Sequence, residues 1–161
     1  MNHQINKQMN IRVRKAEIKE ADKIHLINKS CLPIYYSPYE YMFYILSPLH
    51  DVFVIEDLNN ENILLGYLVG IYKNDNFHIL SIGVLEKFRK LSLGTKLLSH
   101  IICKLRGKYK TITLYVHTEN FSAIKFYNKN GFKVQEKLVN YYHGSLKNVK
   151  TFDAYFMKKI L

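Results

Sequence analysis

The sequence predicts an α+β fold in which about seven strands form a mixed central sheet and about four helices cover it. Helical and strand-like stretches alternate along almost the whole chain, and no repeat or linker divides them. Between residues 52 and 85, three apolar stretches are separated by two clusters of asparagine and acidic residues, which is typical of an antiparallel meander. We therefore expect a single domain over residues 10–161, preceded by a disordered segment over residues 1–9.

Each predicted element has a local signal. Apolar and polar residues alternate around Ile11, as in a strand. The first helix ends before Pro33, and a second short helix begins near Ser37 and Pro38, an N-cap followed by the residue favoured at the first helical position; Pro48 closes it. The remaining boundaries follow from apolar periodicity and glycine stops. They predict helices over 19–30, 93–105 and 122–130, and strands over 52–56, 64–72, 77–85, 111–117, 133–141 and 151–158.

Composition limits the classes of function. The 161 residues include 24 Lys+Arg against 13 Asp+Glu, and the net charge of +11 favours an anionic partner such as a nucleotide cofactor, nucleic acid or the ribosome surface. Cys31 and Cys103 are isolated, so neither a disulfide framework nor a metal site is predicted. The chain has no apolar signal region and no run long enough to span a membrane. We expect a cytoplasmic protein without a membrane partner.

A strand, a basic turn and a helix between residues 78 and 105 predict an anion site. The apolar strand leads through Glu86-Lys-Phe-Arg-Lys-Leu-Ser-Leu-Gly94 directly into the longest predicted helix. The first amides of a helix lack intrahelical acceptors and lie at the positive end of its dipole, so they bind phosphate. Lys87, Arg89 and Lys90 add positive charge, and Gly94 allows a close approach of the backbone.

The segment Arg89-Lys-Leu-Ser-Leu-Gly94 resembles the Arg/Gln-x-x-Gly-x-Gly/Ala acetyl-CoA signature of the GNAT acetyltransferase superfamily, and the order of predicted elements matches that fold. Ser92 stands where the family usually has glycine; in the same turn its amide would still donate to the pyrophosphate. The resemblance implies a meander followed by parallel, splayed strands, with helices on both faces. It also implies acetyl-CoA as cosubstrate. The implied contacts are Ile82, Gly83, Val84, Arg89, Lys90, Leu91, Ser92, Leu93, Gly94 and Thr95.

A second segment strengthens the resemblance. Asn120-Phe-Ser-Ala-Ile-Lys-Phe-Tyr-Asn-Lys-Asn-Gly-Phe132 is similar to the Asn-x-x-Ala-x-x-Phe-Tyr-x-x-x-Gly-Phe signature that ends many GNAT domains. By this resemblance Asn120 contacts the cofactor. Tyr127 lies near the CoA sulfur and is the implied general acid for the departing thiolate.

Within the superfamily, the chain resembles the NatE- and NatF-type N-terminal acetyltransferases. The similarity lies in Leu32-Pro33-Ile34-Tyr35-Tyr36, in Ile79-Leu80-Ser81-Ile82-Gly83-Val84 and in Asn140-Tyr141-Tyr142. It implies a groove between an aromatic loop and a tyrosine pair that holds a peptide or protein N-terminus, with methionine followed by a hydrophobic residue. The implied peptide contacts are Leu32, Pro33, Ile34, Tyr36, Leu80, Tyr141 and Tyr142.

The resemblance also suggests how the amine loses its proton. Related enzymes use a tyrosine before the phosphate turn and a histidine on the following parallel strand, acting through an ordered water. Here His78 and Tyr115 hold the matching positions, so the two residue types are exchanged. We expect His78 to be the base through water, because imidazole titrates near neutral pH, and Tyr115 to orient the water or the amine. His117, on the same predicted strand face, is a second candidate. A family-type bulge over 80–84, with which Gly83 is compatible, would free an amide for the carbonyl oxygen.

The sequence leaves three alternatives open. The acceptor could be a lysine or a small amine, although a polyamine site should be acidic and the predicted groove is not. Ser92 and the exchange of His78 and Tyr115 could also indicate a non-catalytic CoA-binding subunit of an acetyltransferase complex. Association with the ribosome or with auxiliary N-acetyltransferase subunits would fit the positive charge. The basic residues are spread as on an ordinary solvated surface, so no specific nucleic acid is predicted.

Overall fold

The computed structural model describes residues 9–60 and 63–161. Within these residues it contains seven strands and four α-helices, which confirms the predicted α+β class and element order. The elements are β1 (Ile11–Lys15), α1 (Ala21–Cys31), α2 (Pro38–Leu46), β2 (His50–Asp57), β3 (Leu64–Lys73), β4 (Asn76–Val84), α3 (Leu93–Leu105), β5 (Thr111–His117), α4 (Phe121–Lys129), β6 (Lys133–Leu138) and β7 (Ala154–Ile160).

Local signals in the sequence account for the helix boundaries. At the start of α2, the Glu40 amide donates to Ser37 Oγ (3.2 Å), while the Glu40 carboxylate accepts from the Ser37 amide (2.7 Å), a reciprocal capping box. The helix α3 buries Leu97, Leu98 and other apolar residues at helical spacing, and Gly107 follows its last turn with a positive φ of 79°.

The strands form one sheet in the order β1-β2-β3-β4-β5-β7-β6. All neighbours are antiparallel except β4 and β5, which pair in parallel only from Asn76–Ile79 to Thr111–Leu114. Beyond these residues the ladder stops, although β4 continues to Val84 and β5 to His117. The two central strands therefore diverge into a wedge, as the GNAT resemblance implied.

Helices cover both faces of the sheet. The larger apolar core lies under α3 and α4 and includes Phe77, Leu114 and Met157. The smaller core lies under α1 and α2 and includes Tyr41 and Tyr67. Because side chains alternate along a strand, successive residues of β4 and of β5 point to opposite faces of the sheet. Residues at the wedge can therefore belong to either of the two cores.

The last hairpin is shorter than predicted. Residues 139–141 were expected to extend the strand from Lys133, but β6 ends at Leu138 and β7 begins at Ala154. Asn140, His143 and Gly144 have positive φ, which a β-ladder does not accommodate, so Tyr141 and Tyr142 lie in a loop. Of the predicted disordered segment over residues 1–9, residues 1–8 lie outside the described residues, and so do residues 61–62 of the turn at 59–62. No helix among the described residues is long and apolar enough to cross a membrane.

Candidate active site

The phosphate turn leaves a set of amides without acceptors. Ser92 has left-handed geometry (φ 58°) and forms no side-chain cap, while its carbonyl accepts from the Lys96 amide (3.0 Å). Within the described residues the amides of Leu93, Gly94 and Thr95 donate to no carbonyl. Uncapped N–H groups at a helix N-terminus fit a pyrophosphate. The turn therefore has the donor set that coenzyme A needs.

The basic residues before α3 fix the shape of this turn. Arg89 Nε donates to the Val84 carbonyl (3.1 Å), so its guanidinium ties the turn to the end of β4. Lys90 also has a positive φ (64°), and Leu91 is exposed. Leu93 is buried in the core, so only its backbone can face a ligand.

Packing favours glycine at position 94, in addition to the close backbone approach expected from the sequence. A Cβ atom at this position would lie 3.0 Å from Phe126 Cζ, tighter than an ordinary contact. Phe126 belongs to α4, so the absence of a side chain at Gly94 lets α3 and α4 approach at the mouth of the wedge. Near the same place, Asn130 Nδ2 lies 3.5 Å from Thr95 Oγ1.

Asn120 and Tyr127, which the resemblance implied as cofactor contacts, lie at the start of α4 and within it. The Asn120 carboxamide oxygen accepts from the Ala123 amide (3.2 Å) and so caps α4, while its Nδ2 makes no hydrogen bond within the described residues. Tyr127 belongs to α4 and is buried in the larger apolar core with the leucines of α3. Burial, followed by the nearby Tyr67 and Tyr142, raises the pKa of Tyr127 well above its usual value. Its hydroxyl is therefore protonated at neutral pH.

The strand β4 contains a bulge where the wedge begins. The pairing with β3 shifts between Val69↔Ser81 and Gly70↔Ile79, which leaves Leu80 as the extra residue. The predicted bulge region, 80–84, thus includes the irregularity only at its first residue. Gly83 serves a different purpose, because a Cβ atom there would lie 2.8 Å from the Tyr67 ring. Ile82 and Val84 are half-buried against the α3 core.

His78 and Tyr115 lie together, as the sequence predicted. Their ring centroids are 5.1 Å apart, and His78 Nδ1 lies 2.9 Å from Thr113 Oγ1. Burial, with a smaller effect from the charge of Lys73, lowers the pKa of His78 to about 4. This value lies below the near-neutral pKa on which the expected base role of His78 rests, because the packed sheet buries the ring.

His117 lies two residues beyond Tyr115, but both of its ring nitrogens are in use. His117 Nδ1 accepts from the Glu119 amide (3.1 Å), and Nε2 donates to the Thr151 carbonyl (2.8 Å). To accept a proton, His117 would have to break the hydrogen bond to Glu119. The geometry gives this histidine a role in holding the β6–β7 loop against β5.

The aromatic loop and the tyrosine pair lie across the mouth of the wedge. Tyr36 is fixed by α1, because its amide donates to Asn28 Oδ1 (2.9 Å) and its carbonyl lies 2.7 Å from His25 Nδ1. Burial, then Tyr44, Glu40 and Tyr141, raise the pKa of Tyr36 to about 12. Burial, then Tyr141 and Tyr36, raise that of Tyr142 to about 12. Tyr141 thus acts on Tyr36 and Tyr36 acts on Tyr142, which indicates that Tyr36 faces the loop that carries the tyrosine pair.

The tyrosine pair also contacts Tyr115 and His117 of β5. Tyr141 stacks on Tyr115 with centroids 4.6 Å apart, and Tyr142 lies 5.5 Å from the His117 ring. Leu80 packs on the α1 and α2 side, whereas Pro33 and Ile34 are exposed and Leu32 is partly exposed at the rim. Sequence reasoning missed Thr113 and Asn76 beneath His78, and Ser81, whose hydroxyl lies 2.6 Å from Tyr67 Oη. Only the pairing register could have revealed them.

Comparisons with known proteins identify the family. A model of the acetyltransferase (GNAT) family matches residues 21–132. The chain is 31% identical over 150 residues to an N-alpha-acetyltransferase of Sulfolobus acidocaldarius, covering 84% of this chain and 88% of that protein. It is 40% identical over 86 residues to N-alpha-acetyltransferase 50 of Danio rerio, covering 52% of this chain and 49% of that protein. The match therefore spans about half the length of the zebrafish relative.

A solved structure shares the fold. NAA60 of Arabidopsis thaliana in complex with acetyl-CoA superposes with a TM-score of 0.82 at 19% identity, covering 94% of this chain and 99% of that one. At this identity the likeness concerns the fold alone.

Proposed function

The chain belongs to the acetyltransferase (GNAT) family and is an acetyl-CoA-dependent acyltransferase; from this premise we propose that its acceptor is the α-amino group of a peptide or protein N-terminus. The relatives named N-alpha-acetyltransferase support this acceptor. The observation that carries the proposal is the wedge between β4 and β5, which joins the phosphate turn to a groove walled by tyrosines.

The groove suits the end of a peptide better than a polyamine. Tyrosines offer apolar walls together with hydroxyls that can hold peptide carbonyls. None of the proposed peptide contacts carries a carboxylate: they are Leu32, Pro33, Ile34, Tyr36, Leu80, Tyr141 and Tyr142. We propose that this apolar wall favours methionine followed by a hydrophobic residue.

Bound acetyl-CoA supplies the thioester whose carbonyl carbon the amine attacks. The amides of Leu93, Gly94 and Thr95 hold the pyrophosphate, with Arg89 beside them, and Asn120 Nδ2 remains available to the same ligand. The irregular backbone at Leu80 takes one residue out of the ladder, and an amide freed there stabilises negative charge on the carbonyl oxygen.

Proton transfer completes the proposed reaction. The amine forms the new C–N bond as the C–S bond breaks; a groove water beside His78 and Tyr115 takes the proton of the amine to solvent. Tyr127 donates its hydroxyl proton to the departing sulfur and regains one from solvent. An α-amine with a pKa near ~8 is partly neutral at pH 7, whereas a lysine near ~10.4 is almost wholly charged. The mechanism therefore favours N-termini over lysines.

The direct test is an acetyl-transfer assay with three acceptors: a peptide beginning with Met-Leu, the same peptide with a blocked N-terminus and an internal lysine, and spermidine. We expect turnover only on the free N-terminus, and faster turnover for Met-Leu than for Met-Lys or Ser-Glu. Equal or faster transfer to the blocked peptide would identify a lysine acetyltransferase. Calorimetric binding of acetyl-CoA with no turnover on any acceptor would indicate a non-catalytic subunit.

We also propose that the protein meets nascent chains in the cytoplasm, at the ribosome or with auxiliary acetyltransferase subunits. The net charge of +11 supports weak electrostatic association with ribosomal RNA. Co-sedimentation with ribosomes should fall as salt is raised from 50 to 300 mM. Association independent of salt would contradict an electrostatic origin.

A further inference from the structure

A row of polar side chains runs through the paired ends of β4 and β5 and ends at His78. Thr111 Oγ1 donates to Asn76 Oδ1 (2.9 Å), Asn76 Nδ2 donates to Thr113 Oγ1 (2.8 Å), and Thr113 Oγ1 lies 2.9 Å from His78 Nδ1. The row follows from the register, because Asn76 pairs with Thr111 and His78 with Thr113. Residues two apart on a strand share a face, so the four side chains meet in one layer.

The number of hydrogen bonds that each group can donate and accept determines where each proton lies. The Asn76 carboxamide uses its oxygen for Thr111 and its nitrogen for Thr113, so it offers Thr113 no acceptor. The hydroxyl proton of Thr113 then has only His78 Nδ1 as an acceptor within the described residues. Thr113 is buried, and leaving a buried hydroxyl unpaired is unfavourable. Thr113 therefore donates to Nδ1, and a neutral imidazole then carries its proton on Nε2.

The surroundings of His78 keep the ring neutral. The groups that face it are the Thr113 hydroxyl, the Tyr115 ring and, at longer range, the positive charge of Lys73, and none of them is a carboxylate. This is consistent with the lowered pKa described above. Nε2 makes no hydrogen bond within the described residues and is not among their buried, unpartnered atoms. It is the one ring nitrogen left for a ligand in the groove.

We propose that His78 acts as a neutral N–H donor to an oxygen of the bound peptide, held in this tautomer by Thr113 and Asn76, and that it does not take the proton of the amine. This inference rests on the proposed function for the identity of the ligand. Thr113 and Asn76 are positioning residues, since they act through His78. The base role expected from the sequence would need the opposite tautomer, with the proton on Nδ1 and a lone pair on Nε2.

Nuclear magnetic resonance of the ring tests the tautomer without any assay. In full-length protein labelled with ¹⁵N and ¹³C histidine, the signals lost in His78→Gln identify His78. We expect the Nε2–H tautomer at pH 7 and no titration between pH 5 and 8. In Thr113→Val, which removes the hydroxyl and keeps the shape, we expect a mixture of tautomers. A Nδ1–H tautomer in the wild type, or an unchanged tautomer in Thr113→Val, would overturn the proposal.

A pair of variants tests the donor role in turnover. In His78→Gln the amide nitrogen can replace Nε2 as a donor but cannot accept a proton at neutral pH, whereas His78→Leu supplies neither function. We expect His78→Gln to keep turnover within about tenfold of the wild type and His78→Leu to lose at least another tenfold. An equal loss of turnover in both variants would support the role of His78 as the base and refute its role as a hydrogen-bond donor.

Controls separate the inference about His78 from the proposed function on which it rests. Calorimetric binding of acetyl-CoA by each variant shows whether the fold and the phosphate turn survive, because His78 lies outside that turn. If the wild type acetylates no N-terminus, the proposed function fails; the tautomer is still measured, and its assignment stands or falls independently.

Discussion

The strands β4 and β5 behave differently in their two halves. In the first half, from Asn76–Ile79 to Thr111–Leu114, they are paired, and the polar row beneath His78 is fully hydrogen-bonded. In the second half the strands separate, and the amides at the start of α3 are left without acceptors. The paired half of the two strands is thus held by hydrogen bonds, and the helix that follows the divergent half of β4 provides the free donors. The difference shows that the site consists of backbone groups that have no hydrogen-bond partner within the described residues, next to a paired region that fixes their positions.

The largest expected effect is a loss of turnover when Tyr127, the proposed proton donor to the CoA sulfur, is changed. Tyr127→Phe removes one hydroxyl and preserves the packing of the ring in the larger apolar core. If Tyr127 protonates the leaving sulfur, kcat should fall by about 10²-fold to 10⁴-fold, because a general acid contributes on that scale. Steady-state kinetics with a Met-Leu peptide measures this loss. Binding of acetyl-CoA and the melting temperature should stay near wild type.

A kcat within about threefold of wild type in Tyr127→Phe would remove Tyr127 from the chemistry. Tyr44→Phe is a matched control, since Tyr44 packs edge-to-face on Tyr36 and has no proposed role in proton transfer. A comparable loss of kcat in Tyr44→Phe would mean that the assay reports general damage to the aromatic layer.

The next largest effect concerns the free energy of unfolding and the ion pairs of Asp51, on a strand of the same sheet. Asp51 on β2 is buried and accepts from Lys15 (3.0 Å), Lys104 and Tyr72. Burial alone raises the pKa of Asp51, but Lys104, Tyr72 and Lys15 lower it by more, and the net pKa lies below its usual value. Asp51→Asn should lower the free energy of unfolding by about 2 kcal/mol, because it removes charged hydrogen bonds from Lys104 and Lys15, whose side chains are partly exposed. Denaturant unfolding at pH 7 checks this.

The lowered pKa of Asp51 also fixes the sign of a pH effect. The contribution of this carboxylate is fully present above its unfolded pKa near ~3.9 and is lost as the pH falls through the lower folded pKa. The stability difference between wild type and Asp51→Asn should therefore shrink below about pH 4. Asp75→Asn, which removes an exposed ion pair with Lys110, should change stability little at any pH. A difference that grows in acid would contradict this assignment.

The comparison of the two halves also explains what the sequence could predict. The helix α3 and the strand β5 have the predicted boundaries, because each carries its own periodicity, and Gly107 marks the end of the helix. The tyrosines and the valine after Leu138 have high strand propensity and so predict a strand, whereas the structure has positive φ at Asn140 and His143, and the Asn140 amide donates to Asp153 Oδ1. Local signals predict local structure.

The polar row beneath His78 belongs to the class of features that local signals cannot predict. Asn76 and Thr113 are ordinary residues of a turn and a strand, and only the register between β4 and β5 brings them to the imidazole. The resemblance to a family placed His78 and Tyr115 together, but the burial that lowers the pKa of His78 is a property of the packed sheet. Motifs thus located the residues, and tertiary contacts decide their protonation.

The smallest predicted effect is a change in the affinity for acetyl-CoA, and it tests whether the turn before α3 binds the cosubstrate through its backbone amides. Ser92 holds a left-handed conformation, which costs a residue with a Cβ atom about 1 to 2 kcal/mol and is worse for a β-branched side chain. Ser92→Val should therefore weaken acetyl-CoA binding by about tenfold, since the turn relaxes and its amides turn away from the ligand, whereas Ser92→Gly should bind at least as tightly as wild type. Titration calorimetry of both variants measures the difference. If valine and glycine at this position bind alike, the turn geometry does not control affinity, and the positive charge of Arg89 and its neighbours must hold the phosphates instead.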